Sequence, residues 1–238
     1  MPILRTNITN LSWIHRVFRQ QHCPFCDSVI TQPDKISDHS YPSTIPDHLA
    51  RRSQPLPICK QCYNDLPWCT EPGEAVGERS AFYYFEPVRQ YILAGKGSKQ
   101  LDKLHLLGKL LAIPFLQNNT PLPEAILPIP LHQQRLRQRG FNQSIELILP
   151  LARQLKIPLL TDHVYRNRNT GEQKGLTAGE RRHNMQQAFS IRKTIKQQHI
   201  AIFDDVITTG ATCSALKALL LENGVKKVEI WSCATTKQ

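Results

Sequence analysis

The stretch His199-Ile-Ala-Ile-Phe-Asp-Asp-Val-Ile-Thr-Thr-Gly-Ala-Thr212 narrows the choice of fold more than any other, because strand, acid pair, loop and helix start follow without a gap. Ile200, Ala201, Ile202 and Phe203 are apolar in succession. Both faces of an extended strand there need cover, as in a parallel sheet with helices on each side. Asp204 and Asp205 then fall at the carboxyl edge of the strand, where open α/β sheets bind ligands. Thr208, Thr209, Gly210, Ala211 and Thr212 are small and hydroxyl-rich, and lead into an apolar-periodic helix through Ala215, Leu216, Leu219 and Leu220. Unpaired backbone N–H groups and the positive end of that helix favour an anion, the threonine hydroxyls add donors, and Gly210 lets the backbone come close. Two carboxylates would repel the anion, so they are expected to accept hydrogen bonds from hydroxyls beside it. A ribose bearing a 5'-phosphate has that arrangement.

The string resembles the thirteen-residue motif of type I phosphoribosyltransferases: apolar strand, two acids, then Val-x-Thr-Thr-Gly-Ala-Thr. The resemblance implies 5-phosphoribosyl 1-pyrophosphate as ligand, with Asp204 and Asp205 on the ribose 2'- and 3'-hydroxyls and residues 208–212 on the 5'-phosphate. A strand ending in a polar turn with an ordinary helix cap accounts for one acid or one threonine, but not for the whole string in order.

A chain of 238 residues has room for one α/β domain and a small appendage. The expected division is an N-terminal helix and cysteine module over 1–75 and an α/β domain over 76–238. The formal net charge of +11 favours anionic partners such as nucleic acid or phosphorylated metabolites. Seven cysteines, an odd number, argue against a closed disulfide framework, so a reduced cytoplasm is expected. No secretory signal or membrane span is expected. The acid-free, arginine-bearing start leaves an organellar transit peptide as the alternative.

Ile8, Leu11, Ile14, Val17 and Phe18 repeat at helical spacing, predicting an amphipathic first helix packed on its own protein. Cys23-Pro-Phe-Cys26 and Cys59-Lys-Gln-Cys62 follow. Two C-x-x-C pairs supply four soft ligands for one tetrahedral structural zinc. Their separation exceeds the usual spacing, because a proline-bearing insert fills residues 27–58. Cys69 or a histidine is a spare ligand. A redox dithiol and a set of metal-free thiols are the competing readings.

Further on, residues 80–85 read as a strand and 88–115 as helix, interrupted around Gly95-Lys96-Gly97, where Lys96 and Lys99 are solvated by default. Residues 118–123 read as a linker and 126–130 as the first core strand, with prolines that disfavour a central place in an antiparallel ladder. Arg135, Arg137 and Arg139 then alternate in what reads as a loop, where guanidinium groups near a strand's carboxyl end suit a pyrophosphate. Pro150 is expected to kink or split the next helix. Residues 165–184 are polar, basic and glycine-bearing, which suits a lid or exposed surface. Residues 188–191 and 228–234 read as strands, with Asn223-Gly224 as a helix stop.

The paired C-x-x-C units, Pro128-Ile-Pro-Leu131, Arg135-Leu-Arg-Gln-Arg-Gly-Phe-Asn-Gln143, Gln173-Lys-Gly-Leu176, Arg181-Arg-His-Asn184, Ala188-Phe189 and the Asp-Asp-Val-x-Thr-Thr-Gly string together resemble the ComF/GntX family over nearly the whole chain. The resemblance implies an α/β fold of the type I phosphoribosyltransferase kind, a mostly parallel sheet with helices on both faces, plus a small N-terminal zinc-ribbon-like module. It also implies bacterial proteins associated with natural competence, with single-stranded DNA and competence-machinery proteins as partners. The enzymatic expectation is displacement at the anomeric carbon with Mg²⁺ neutralising the departing pyrophosphate; no general base is named and the acceptor stays open. The rival is a DNA-binding competence factor using the sugar-phosphate site as a sensor or docking point without turnover.

Overall fold

The structure, a computed structural model, describes residues 21–30, 58–69, 78–96, 100–116, 121–167 and 188–236. The expected first helix, most of the insert, Lys99, Gln173-Lys-Gly-Leu176, Arg181-Arg-His-Asn184 and the boundary near residue 75 lie outside the described residues.

Four parallel strands form the centre: β3 (Glu78–Tyr83), β4 (Ala125–Pro128), β7 (His199–Ile207) and β8 (Lys227–Thr235), in the spatial order β3-β8-β7-β4. Alternation along β7 assigns each side of the sheet. Ala201 and Phe203 enter one apolar cluster, whereas Ile200 and Ile202 enter the other. The first cluster is closed by α2 (Val88–Ala94), α3 (Leu101–Leu110), α4 (Ala112–Leu116) and α6 (Gln143–Leu155). The second is closed by α7 (Ala211–Glu222), through Cys213, Leu216 and Leu220. Helices therefore cover both faces, as continuous apolar strands demand.

β4 carries Pro128 at its last position, where a missing N–H costs least. Its outer edge is met by the bridge between Ile126 and Leu159. A separate antiparallel pair, β5 (Val164–Arg166) with β6 (Phe189–Ile191), brackets the basic stretch, so Tyr165 and Arg166 belong to a strand. His132 bridges Arg166, which ties this pair to the segment leaving β4.

Two expectations shift. Residues 133–139 form a helix, α5 (Gln133–Arg139), capped by Gly140 at φ 82°, instead of a loop. Glutamine and arginine are good helix formers, and a left-handed glycine is the commonest stop. Pro150 does not split α6, which runs on to Leu155. Its ring sits where Gly108 of α3 leaves space: a Cβ on Gly108 would lie 2.9 Å from Pro150 Cγ.

The cysteine module consists of β1 (Gln21–His22) paired antiparallel with β2 (Val29–Ile30), and α1 (Lys60–Asp65). It shares the first apolar cluster: Cys23, Ile58 and Leu66 are buried with Phe82, Tyr91 and Trp231. The Phe25 and Tyr91 rings stack at 4.6 Å, and the Tyr91 hydroxyl donates to the Pro24 carbonyl.

Candidate functional site

Asp204 and Asp205 lie toward the carboxyl end of β7, three to four residues before the 208–212 loop. Gly210 adopts φ 71° as the N-cap of α7, a conformation an L side chain rarely takes. No acidic residue occupies the first turn of α7, and Thr208, Thr209 and Ala211 are exposed. The Thr209 hydroxyl accepts from the Ala211 N–H at 3.4 Å. First-turn N–H groups lack intrahelical acceptors, so this corner presents donors to solvent beside two carboxylates.

The acids are fixed by short-range bonds. Asp204 Oδ1 accepts from the Asp205 N–H at 2.9 Å, and Asp205 Oδ1 accepts from the Val206 N–H at 2.9 Å. Ser144 Oγ donates to Asp204 Oδ1 at 3.4 Å. Burial, followed by the adjacent Asp205 charge, pushes the Asp204 carboxyl well above the usual carboxylate range.

In α5, positions four apart share a side and positions two apart do not. Arg135 and Arg139 are therefore on one side, both half-buried, and Arg137 is on the other, exposed. Arg139 donates through Nη1 to Gln143 Oε1. Arg166 lies near both Arg135 and Asp204: burial and then the Arg135 charge lower its pKa, while Asp204 opposes them. Its guanidinium also sits 5.6 Å from the Phe189 ring centroid. The structure thus brings Arg166 toward Asp204 and Arg135 toward Arg166, while Arg137 lies on the other side of α5.

Asn142, Gln143 and Ser144 explain the chain's tight turn into α6. Asn142 caps the helix by accepting from the Ser144 N–H at 2.9 Å and donates from Nδ2 to the Ile129 carbonyl at 2.9 Å, which locks α6 to the end of β4. Ser144 and Arg166 were not singled out from the sequence as neighbours of the acids. Their signals, a serine after an N-cap and an arginine in a basic run, are common ones.

Cys23, Cys26, Cys59 and Cys62 converge, with all four Sγ atoms within 4.8 Å of one another. A tetrahedral ion at about 2.3 Å from each sulfur needs sulfurs about 3.8 Å apart. Cys26 Sγ and Cys59 Sγ are 3.7 Å apart. Backbone geometry supports the same end: the Cys62 N–H donates to Cys59 Sγ at 3.4 Å, and Asp27 at φ 61° turns the chain after Cys26. Hydrogen bonding with Ser28 leads the effects that hold the Cys26 thiol down at about 6, while burial and the neighbouring sulfurs push Cys62 far up. Sulfurs packed this closely compete for negative charge unless a cation shares it. The residues fit a closed four-thiolate metal site, and zinc suits its soft ligands. Cys69 stands outside this set.

No family model matches the chain. It is, however, 32% identical over 194 residues to Competence protein F of Haemophilus influenzae, covering 75% of this chain and 85% of that protein. The chain belongs to the ComF family. Other ComF relatives include DNA utilization protein YhgH of Escherichia coli O157:H7, 35% identical over 64% of this chain and 69% of that protein. Competence protein ComFC of Streptococcus pneumoniae is 27% identical over 88% of this chain and 86% of its own length. No helix among the described residues of this ComF chain is long and apolar enough to cross a membrane.

Proposed function

We propose that the corner formed by β7 and α7 binds 5-phosphoribosyl 1-pyrophosphate. The observation that carries this reading is the placement of Asp204 and Asp205 just ahead of an exposed, acid-free helix start. Asp204 and Asp205 accept from the ribose hydroxyls, and Thr208, Thr209, Gly210, Ala211 and Thr212 hold the 5'-phosphate. Arg135 and Arg139, which share one side of α5, are assigned to the pyrophosphate, and Arg137, on the other side, is left out. Mg²⁺ bound with the donor would supply charge that offsets the diphosphate, easing departure of pyrophosphate from the anomeric carbon as an acceptor bonds there. The zinc at the four cysteines is structural, since four protein ligands leave no open position.

Titration calorimetry tests the site. Replacing both acids, Asp204→Asn with Asp205→Asn, exchanges both carboxyl groups beside the ribose for amides and is expected to weaken Mg²⁺-dependent donor binding by about 100-fold or more. The melting temperature should barely move, because the Asp204 carboxyl already disfavours its charge. Equal affinity in wild type and double variant overturns the assignment.

A second reading has its own support: a DNA-handling protein associated with natural competence, the role that relatives' names such as DNA utilization protein suggest. Helix α5 carries three arginines and no acid, and Tyr165, 49% exposed, stands beside Arg166. Cations for phosphates beside an aromatic for a base suit single-stranded DNA. A steep fall in DNA affinity with salt, relieved by Arg137→Ala, is the expected signature.

A further inference from the structure

The candidate site depends on two consecutive buried residues that no ligand needs to touch. Gln143 is 3% exposed and Ser144 is 4% exposed. Gln143 is bonded to Arg139 of α5 and Ser144 to Asp204, and each is anchored by a second bond.

The anchors decide the polarity of both bonds. The Ile92 carbonyl can only accept, so it takes the Gln143 Nε2 amide, at 3.2 Å. That choice turns Gln143 Oε1 outward, where it accepts from Arg139 Nη1. A glutamate would place a carboxylate against the same carbonyl, so only the amide satisfies both neighbours. The Ser144 N–H is bound to Asn142 Oδ1, which sets the first turn of α6 and aims the hydroxyl at Asp204 Oδ1. The bonds that Asp204 receives from Ser144 Oγ and from the Asp205 N–H both fall on Oδ1.

We propose that Gln143 and Ser144 are positioning residues that divide the site between them, Gln143 orienting the Arg139 guanidinium for a diphosphate and Ser144 orienting the Asp204 carboxylate for the sugar. This inference rests on the sugar-phosphate reading above. One rigid dipeptide at a helix start then holds a guanidinium and a carboxyl group in fixed separation, matched to two ends of one ligand.

The division predicts a split that general destabilisation does not produce. With the full zinc-loaded chain and Mg²⁺, calorimetric affinities are measured for ribose 5-phosphate and for 5-phosphoribosyl 1-pyrophosphate. Ser144→Ala should weaken both ligands about tenfold, and Ser144→Thr, which keeps the hydroxyl, should recover most of that loss. Gln143→Ala should weaken the diphosphate ligand about tenfold more than ribose 5-phosphate. Arg139→Ala, which leaves the buried amide in place, should show the same split and serves if Gln143→Ala lowers the melting temperature. Equal losses on both ligands in the Gln143 and Arg139 variants overturn the division, as does a Ser144→Thr variant no better than alanine. Wild-type protein that binds neither ligand overturns the sugar-phosphate reading and this inference with it, whereas wild-type binding with unaffected variants overturns this inference alone.

Discussion

Glu229 is a carboxylate buried to 3% exposure near the amino end of β8, away from the carboxyl-edge acids. Lys227 Nζ and His199 Nε2 reach its Oε1 at 2.7 and 3.0 Å, and Trp231 Nε1 donates to Oε2 at 3.0 Å. Arg79 approaches Oε2 at 3.9 Å. Burial alone would raise this carboxyl, but the bonds from Lys227 and Trp231 and the nearby cations outweigh it and hold it below the usual range. A depressed carboxyl contributes stability above its unfolded value and loses it as pH falls through the folded one. Wild type should therefore weaken on acidification below about pH 4.5. Glu229→Gln should cost about 1–3 kcal/mol at pH 7 and flatten that acid limb in denaturant titrations run across pH. The acid pair and the threonine loop could be read from the chain because they are contiguous, each part constraining the next. Ser144 and Gln143 could not, since their partners stand 60 and 51 residues away, and hydrogen bonds across such separations leave no local pattern.

The contact of α3 with α6 turns on one position. A Cβ on Gly108 would lie 2.2 Å from the Leu147 carbonyl oxygen, which is backbone and cannot swing aside. Alanine in place of glycine ordinarily favours a helix interior by about 1 kcal/mol. Here overpacking wins, and Gly108→Ala should lower stability by about 3 kcal/mol in equilibrium unfolding. Gly140→Ala is a useful contrast: nothing lies within 4 Å of its Cβ, so only the φ of 82° is strained, and the loss should be about 1 kcal/mol. Strands 126–130 and 228–234 and the helix break near residue 95 were readable from apolar runs and turn residues. Helix α5 was not, because Arg-Leu-Arg-Gln-Arg lacks an apolar period, although Gly140 followed by Asn142 marks a stop and a restart.

The cysteine module and the α/β sheet bury one shared apolar cluster, so losing the metal should be felt well beyond the four sulfurs. Zinc held by the four cysteines and buffered at a thousand times its Kd would stabilise the folded chain by about 4 kcal/mol, which for a chain this long is about 10 °C in melting temperature. Chelation should produce that drop and change the fluorescence of Trp68, whose ring lies 4.7 Å from Phe82. An unaltered melt and spectrum, with no metal released, would remove zinc from the account. The parallel α/β class followed from apolar strands and the acid-edge motif, whereas the packing of the module onto α2 did not, since aromatic stacking between Phe25 and Tyr91 has no sequence signature.

Strand β3 finds its neighbour in β8, with Glu78 opposite Ile230 and Ser80 hydroxyl-bonded to Ser232 at 2.7 Å. On the ribosome, β3 emerges long before its partner exists, and it waits with one edge bare until translation reaches residue 235. Chaperone demand should thus peak late in synthesis, and a stalled nascent chain ending before β8 is a natural substrate for proteolytic clearance.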